Sequence, residues 1–272
     1  PGYVIDDAQR IIELKPNEKA QFVFTNSKKP TLKLTKTSAD GTALEGVSFR
    51  LAKIEDGSRY LDRTTDAKGE ILWEDLEPGV YSLKEIATVD DHIIDLREYH
   101  VELFPGKEST ITLENNKRPN LYVMKNDADT GEPVPNTIFL VKAADGHSVD
   151  EIKTDSEGRA ELKNLLPGVY EISEKSVPSP YLKDAEPQLV TLYPNRDHTV
   201  YFKNHKRPVI EIIKEDSITH ARLANVRFQV WYASNNTSTG EINDLGVYTT
   251  DENGRIELDG TKMGEYGLRD GW

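Results

Sequence analysis

The chain has 272 residues, room for two or three domains. Its 47 acidic against 34 basic side chains leave a formal charge of −13, the wrong sign for a nucleic acid or an anionic membrane surface as partner. It has no Cys, so disulfides, thiolate metal sites and thiol catalysis are excluded, and no apolar run is long enough for a membrane helix.

In chain order, the opening Pro1-Gly2-Tyr3 carries no secretory leader and reads as part of a longer protein. Residues 1–29 end in Phe22, Phe24, Asn26 and Lys28-Lys29, and Pro30 follows. The same ending returns as Leu113-Glu114-Asn115-Asn116-Lys117-Arg118-Pro119 and as Phe202-Lys203-Asn204-His205-Lys206-Arg207-Pro208. The Asn residues at 26, 115 and 204 are spaced by 89, as are Lys36, Lys125 and Lys214, six residues after each Pro. A turn block, Asp66–Gly69 to Gly79-Val80-Tyr81, recurs at Asp155–Tyr170 and Asp251–Tyr266. The last step is seven residues longer, and the excess falls in the polar stretch 234–240, a longer hairpin loop.

The predicted organisation is therefore 1–29 as the last strands of a preceding repeat, 30–118 and 119–207 as complete repeats, and 208–272 as a repeat without its last strands. Within a repeat, short alternating runs are broken every 8–12 residues by turn signals such as Asp40-Gly41, Asp56-Gly57 and Pro105-Gly106. This predicts an all-β sandwich of about seven strands with almost no helix.

Strand alternation predicts which side chains face inward. Lys36 shares the parity of Leu32 and Leu34, Lys125 that of Leu121 and Val123, and Lys214 that of Ile210 and Ile212. Glu85 follows Tyr81 and Leu83, Glu174 follows Tyr170 and Ile172, and Asp270 follows Tyr266 and Leu268. Asn115 and Asn204 follow Ile111 and Leu113, and Val200 and Phe202, whereas Asn116 has the opposite parity. Burial favours a neutral amine and a protonated carboxyl. Such a pair beside a carboxamide can form a Lys–Asn isopeptide bond with loss of ammonia, Glu serving as general acid and base. The alternative is a buried ion pair with a hydrogen-bonded amide.

The ordered set of inward Lys, Tyr-x-[Leu/Ile]-x-Glu and [Phe/Leu]-x-Asn-x-Lys-[Arg/Lys]-Pro resembles the Cna-B (SpaA-type, prealbumin-like) domains of Gram-positive surface proteins and pilins, over essentially the whole chain. The resemblance implies tandem immunoglobulin-like β-sandwiches of about 89 residues, intramolecular isopeptide bonds and a stalk or shaft role at the cell wall, outside the cell. Carried over, the bonds would join Lys36 to Asn115 with Glu85 assisting, and Lys125 to Asn204 with Glu174 assisting. The third repeat supplies Lys214 and departs from the pattern with Asp270, one methylene shorter than Glu.

The chain begins and ends at nearly the same phase of the repeat. Either it is a window on a longer array, or strands 1–29 complete the third repeat of another copy, with Lys214, Asp270 and Asn26 as an intermolecular trio. Expected partners are neighbouring repeats and, on the second reading, copies of the same chain head to tail.

A ligand-binding adhesin is the alternative function, with a host or surface receptor and an aromatic patch at Trp231 and Tyr232. The third class is an enzyme whose active domain lies elsewhere; beyond single-turnover self-crosslinking, no enzymatic activity is expected here. No cofactor or metal is expected either. Asp127-Ala128-Asp129-Thr130-Gly131 lacks the distal Glu of a calcium loop and reads as a solvated turn, and the six His, most of them expected at the surface or in strands, show no metal spacing. The glycosylation sequons at Asn235 and Asn236 carry little weight in a bacterial setting.

Overall fold

A computed structural model describes residues 2–5, 11–55, 59–183, 186–233 and 242–259. All regular structure among them is β. The chain divides into two compact units. One comprises 1–120 with 163–167 and 192–198, and the other comprises 121–162, 168–191 and 199–272.

In the first unit, β1 (Thr31–Ser38) lies between β4 (Glu70–Trp73) and β7 (Glu108–Asn115). The β1–β7 pairing is parallel over its whole length, from Thr31↔Glu108 to Ser38↔Asn115. The second sheet has the order β3-β2-β5-β6, from β2 (Ser48–Lys53), β3 (Tyr60–Thr64), β5 (Gly79–Ala87) and β6 (Glu98–Leu103). Alternate residues of both sheets turn inward. Leu32, Leu34, Phe49, Leu51, Ile71, Trp73, Leu83 and Leu113 form one core. The predicted seven strands are all present.

The second repeat repeats this plan. β8 (Leu121–Asp127) lies between β11 (Arg159–Leu162) and β14 (His198–Asn204). The facing sheet runs β10-β9-β12-β13, from β9 (Ile138–Ala143), β10 (Ser148–Lys153), β12 (Gly168–Ser176) and β13 (Gln188–Leu192). The third repeat contributes β15 (Val209–Ile213) paired with β18 (Arg255–Asp259), and β16 (Arg227–Ala233) paired with β17 (Ile242–Thr249). The polar stretch 234–240 and Asp270 lie outside the described residues.

One main-chain pattern marks the period. Tyr3, His92 and Tyr181 form antiparallel bridges to Lys28, Lys117 and Lys206. In each case the next residue (Val4, Ile93, Leu182) donates its N–H to the carbonyl of Ser27, Asn116 or His205. The segment at residues 28–30 is also held in place: Gly106 N–H donates to Lys28 O at 2.6 Å and Leu76 N–H to Pro30 O at 3.2 Å.

Candidate functional site

The first site lies between the two sheets of repeat 30–118. β1 buries Leu32, Leu34, Lys36 and Ser38 on one face, β5 buries Tyr81, Leu83 and Glu85, and β7 buries Leu113 and Asn115. Strand alternation thus delivers all three predicted polar side chains to one place. Lys36 has no exposed surface.

The turn Asp66–Gly69 fixes the lysine's backbone. Asp66 Oδ1 accepts the N–H groups of Lys68 and Glu70, both at 2.9 Å. Gly69 then accepts Lys36 N–H at its carbonyl, 2.7 Å away. Gly69 has φ +72°, and a Cβ there would stand 2.3 Å from Lys36 O, so only glycine fits. Gly158 and Gly254 sit in the same way against Lys125 and Lys214.

The polar groups form a closed set. Lys36 Nζ donates to Asn115 Oδ1 at 2.6 Å and lies 3.0 Å from Glu85 Oε2. Asn115 Nδ2 donates to Glu85 Oε1 at 2.6 Å and to Thr88 Oγ1 at 2.9 Å. Glu85 thus spans the amine and the amide nitrogen. Burial lowers the pKa of Lys36, and the hydrogen bond and charge of Glu85 oppose that shift. The Phe49 ring lies beside the ammonium, with Nζ 5.7 Å from its centroid.

The second site has the same composition. Lys125, Glu174 and Asn204 are buried on β8, β12 and β14. Lys125 Nζ lies 3.7 Å from Glu174 Oε1. Asn204 Nδ2 donates to Glu174 Oε2 at 2.9 Å and to Leu182 O at 2.5 Å.

The other predicted residues belong to the intermolecular trio. Lys214 is half-buried and donates to Glu215 O at 3.3 Å, Asn26 is exposed, and Asp270 lies outside the described residues. Trp231 is 60% exposed on β16, and nothing is described of the Tyr232 side chain.

Sequence reasoning missed three features. His92 is buried, not a surface residue, and bridges Asp91 Oδ1 at 2.7 Å and Ser38 Oγ at 3.1 Å. Asp127 is not solvated at its turn. Its carboxylate is buried, accepts the N–H groups of Asp129 and Thr130, and meets Tyr181 Oη at 3.0 Å and Lys206 Nζ at 2.9 Å. Both Ser38 and Asp127 share the parity of the preceding lysine, and that signal could have found them. Thr88 follows the Glu strand and has no periodic signal.

The SpaA prealbumin-like domain model matches residues 30–117, 119–206 and 208–270. The chain belongs to this family. Among relatives of this SpaA-type chain, Colossin-A of Dictyostelium discoideum is 24% identical over 260 residues, covering 84% of this chain and 2% of that protein. The collagen adhesin of Staphylococcus aureus is 32% identical over 96 residues, covering 33% and 8%. The chain therefore spans only a small part of either relative. Among solved structures, the Bacillus anthracis TIE protein is similar at 24% identity and TM-score 0.43, covering 86% of this chain and 44% of that one. The shaft pilin SpaA from Lactobacillus rhamnosus GG is similar at 14% identity and TM-score 0.45, covering 67% and 100%.

Proposed function

We propose that this SpaA-type chain is a load-bearing segment of a stalk or pilus shaft on a Gram-positive cell surface, locked by Lys36–Asn115 and Lys125–Asn204 isopeptide bonds. The observation that carries this reading is a buried Lys–Glu–Asn trio found twice, one period apart, between first and last strands that lie side by side.

The first site has the parts the reaction needs. Glu85 takes a proton from Lys36 Nζ, and the neutral amine attacks Asn115 Cγ. The Nζ–Cγ bond forms, Glu85 passes the first proton to Nδ2 and takes a second from Nζ, the Cγ–Nδ2 bond breaks, and the released ammonia carries that second proton away as ammonium. Glu85 ends as it began. The placement of its two oxygens, one beside Nζ and one beside Nδ2, suits that transfer. Apolar walls hold the groups in contact and exclude water.

In tandem, tension would enter a repeat through its first and last strands. Lys36 and Asn115 are 79 residues apart in sequence. Without a link that stretch could extend to about 260–280 Å. With it, the load passes directly from β1 to β7. Among the described residues, 2–5 and 11–29 form an isolated bridge but no regular strand, and Phe22 and Phe24 are exposed. We read residues 1–29 as the sequence of the closing strands of a preceding repeat, on the recurrence of the Tyr3–Lys28 bridge one and two periods on. Pairing of those strands with 208–272 of another copy, through Lys214, Asp270 and Asn26, is the assembly reading. The collagen adhesin relative and exposed Trp231 favour a second role, recognition of a host or surface receptor.

Glu85→Ala should leave Lys36 unlinked. The bond removes about 4–5 kcal/mol of denatured-state entropy on the chain-entropy model, so the repeat should melt roughly 15 °C lower or more, with new protease sensitivity. Lys36→Ala should do the same. Unchanged melting in both variants would contradict the lock.

A further inference from the structure

We infer that the connection following the Glu strand supplies a positioning acceptor for the leaving amide nitrogen, and that Thr88 fills this role in repeat 30–118. The inference rests on the isopeptide reading and deepens it.

A carboxamide nitrogen carries two N–H bonds. At Asn115 one is directed to Glu85 Oε1 and the other to Thr88 Oγ1. Lys36 Nζ occupies Oδ1. The amide plane is thereby pinned at three points, with the carbonyl carbon next to the amine. At Asn204 one N–H is directed to Glu174 Oε2 and the other to the carbonyl of Leu182. One period after Thr88 stands Val177, which has no hydrogen-bonding side chain. The second repeat therefore meets the same need with a main-chain oxygen from the corresponding connection, between β12 and β13. Two different chemical groups at one N–H mark the contact as a requirement of the site.

The acceptor acts at two stages. Before attack, it limits rotation about the Asn side chain, keeping the amide nitrogen on Glu85 and off the amine. During departure, Nδ2 gains a proton and keeps an acceptor as Cγ–Nδ2 breaks, so ammonia forms against an oxygen, not an apolar wall. Thr88 is half-buried, and valine keeps its branched shape while removing the hydroxyl that accepts the amide N–H, so the loss reads on that hydrogen bond.

The test is a time course on the full chain made by cell-free translation and quenched in denaturant at intervals. Proteolysis and mass spectrometry then follow the branched peptide joining Lys36 to Asn115, with the Lys125–Asn204 peptide as internal reference. Thr88→Val should slow the first bond about five- to ten-fold, the effect of one lost hydrogen bond on a barrier, and leave the second unchanged. Thr88→Ser should restore the rate, which a purely structural defect would not allow. Equal rates in Thr88→Val and the unaltered chain would overturn the role of Thr88 while leaving the bond itself standing. Equal slowing in both Thr88 variants would assign the effect to packing and overturn the role as well. Absence of both branched peptides from the unaltered chain would overturn the isopeptide reading and this inference together.

Discussion

An ammonium with no exposed surface needs a carboxylate and a neutral acceptor in place of its water, and Lys36 has both, in Glu85 and Asn115. Removing Glu85 strands a buried charge, and removing Asn115 leaves buried hydrogen-bonding groups without a partner, so the trio is held by mutual need whether or not it reacts. Asp127 poses the opposite case. The N–H of Thr130 and then Lys206 hold its carboxyl well below the usual carboxylate range. A carboxyl with a depressed folded pKa adds stability above its unfolded value near 4, and that stability is lost as pH falls through the folded value. Asp127→Asn should therefore flatten the acid limb of stability below about pH 5, measured by denaturant unfolding across pH. Parallel curves for variant and unaltered chain would refute this. At this scale the inward Lys, Glu and Asn were readable because a strand has period two. Thr88, Leu182 O and His92 were not, because they lie in connections whose course no periodicity sets.

Between residues and repeats stands the turn element. The Asp-x-x-Gly block was recognisable as a turn, because Asp accepts the following N–H groups and Gly takes positive φ. Its second role, with Gly69 laid flat against Lys36 O, is a contact between distant parts of the chain and leaves no mark on local sequence. Gly69→Ala should cost about 1–3 kcal/mol in an equilibrium unfolding experiment, since positive φ and steric conflict add. A cost near zero would mean that the turn can move off the lysine. Strand number and sandwich class followed from the spacing of turn signals. The parallel pairing of β1 with β7 did not, since strand direction depends on the path of the intervening chain. That pairing matters, because it places the first and last strands where one bond can join them.

At the scale of the whole molecule, a period of 89 residues organises the family match, the three Tyr/His-to-Lys bridges and the two buried trios. The departures in sequence cluster in the third repeat, where seven extra residues and Asp270 break the pattern. The covalent lock can be read from intact mass under denaturing conditions. Each Lys–Asn bond expels one ammonia, about 17 Da. Two internal bonds predict a deficit of about 34 Da in the monomer, and linkage through Lys214 and Asn26 would add a further loss confined to covalent multimers. A monomer at its full sequence mass would show the trios to be buried ion pairs, and the mechanical lock would be contradicted.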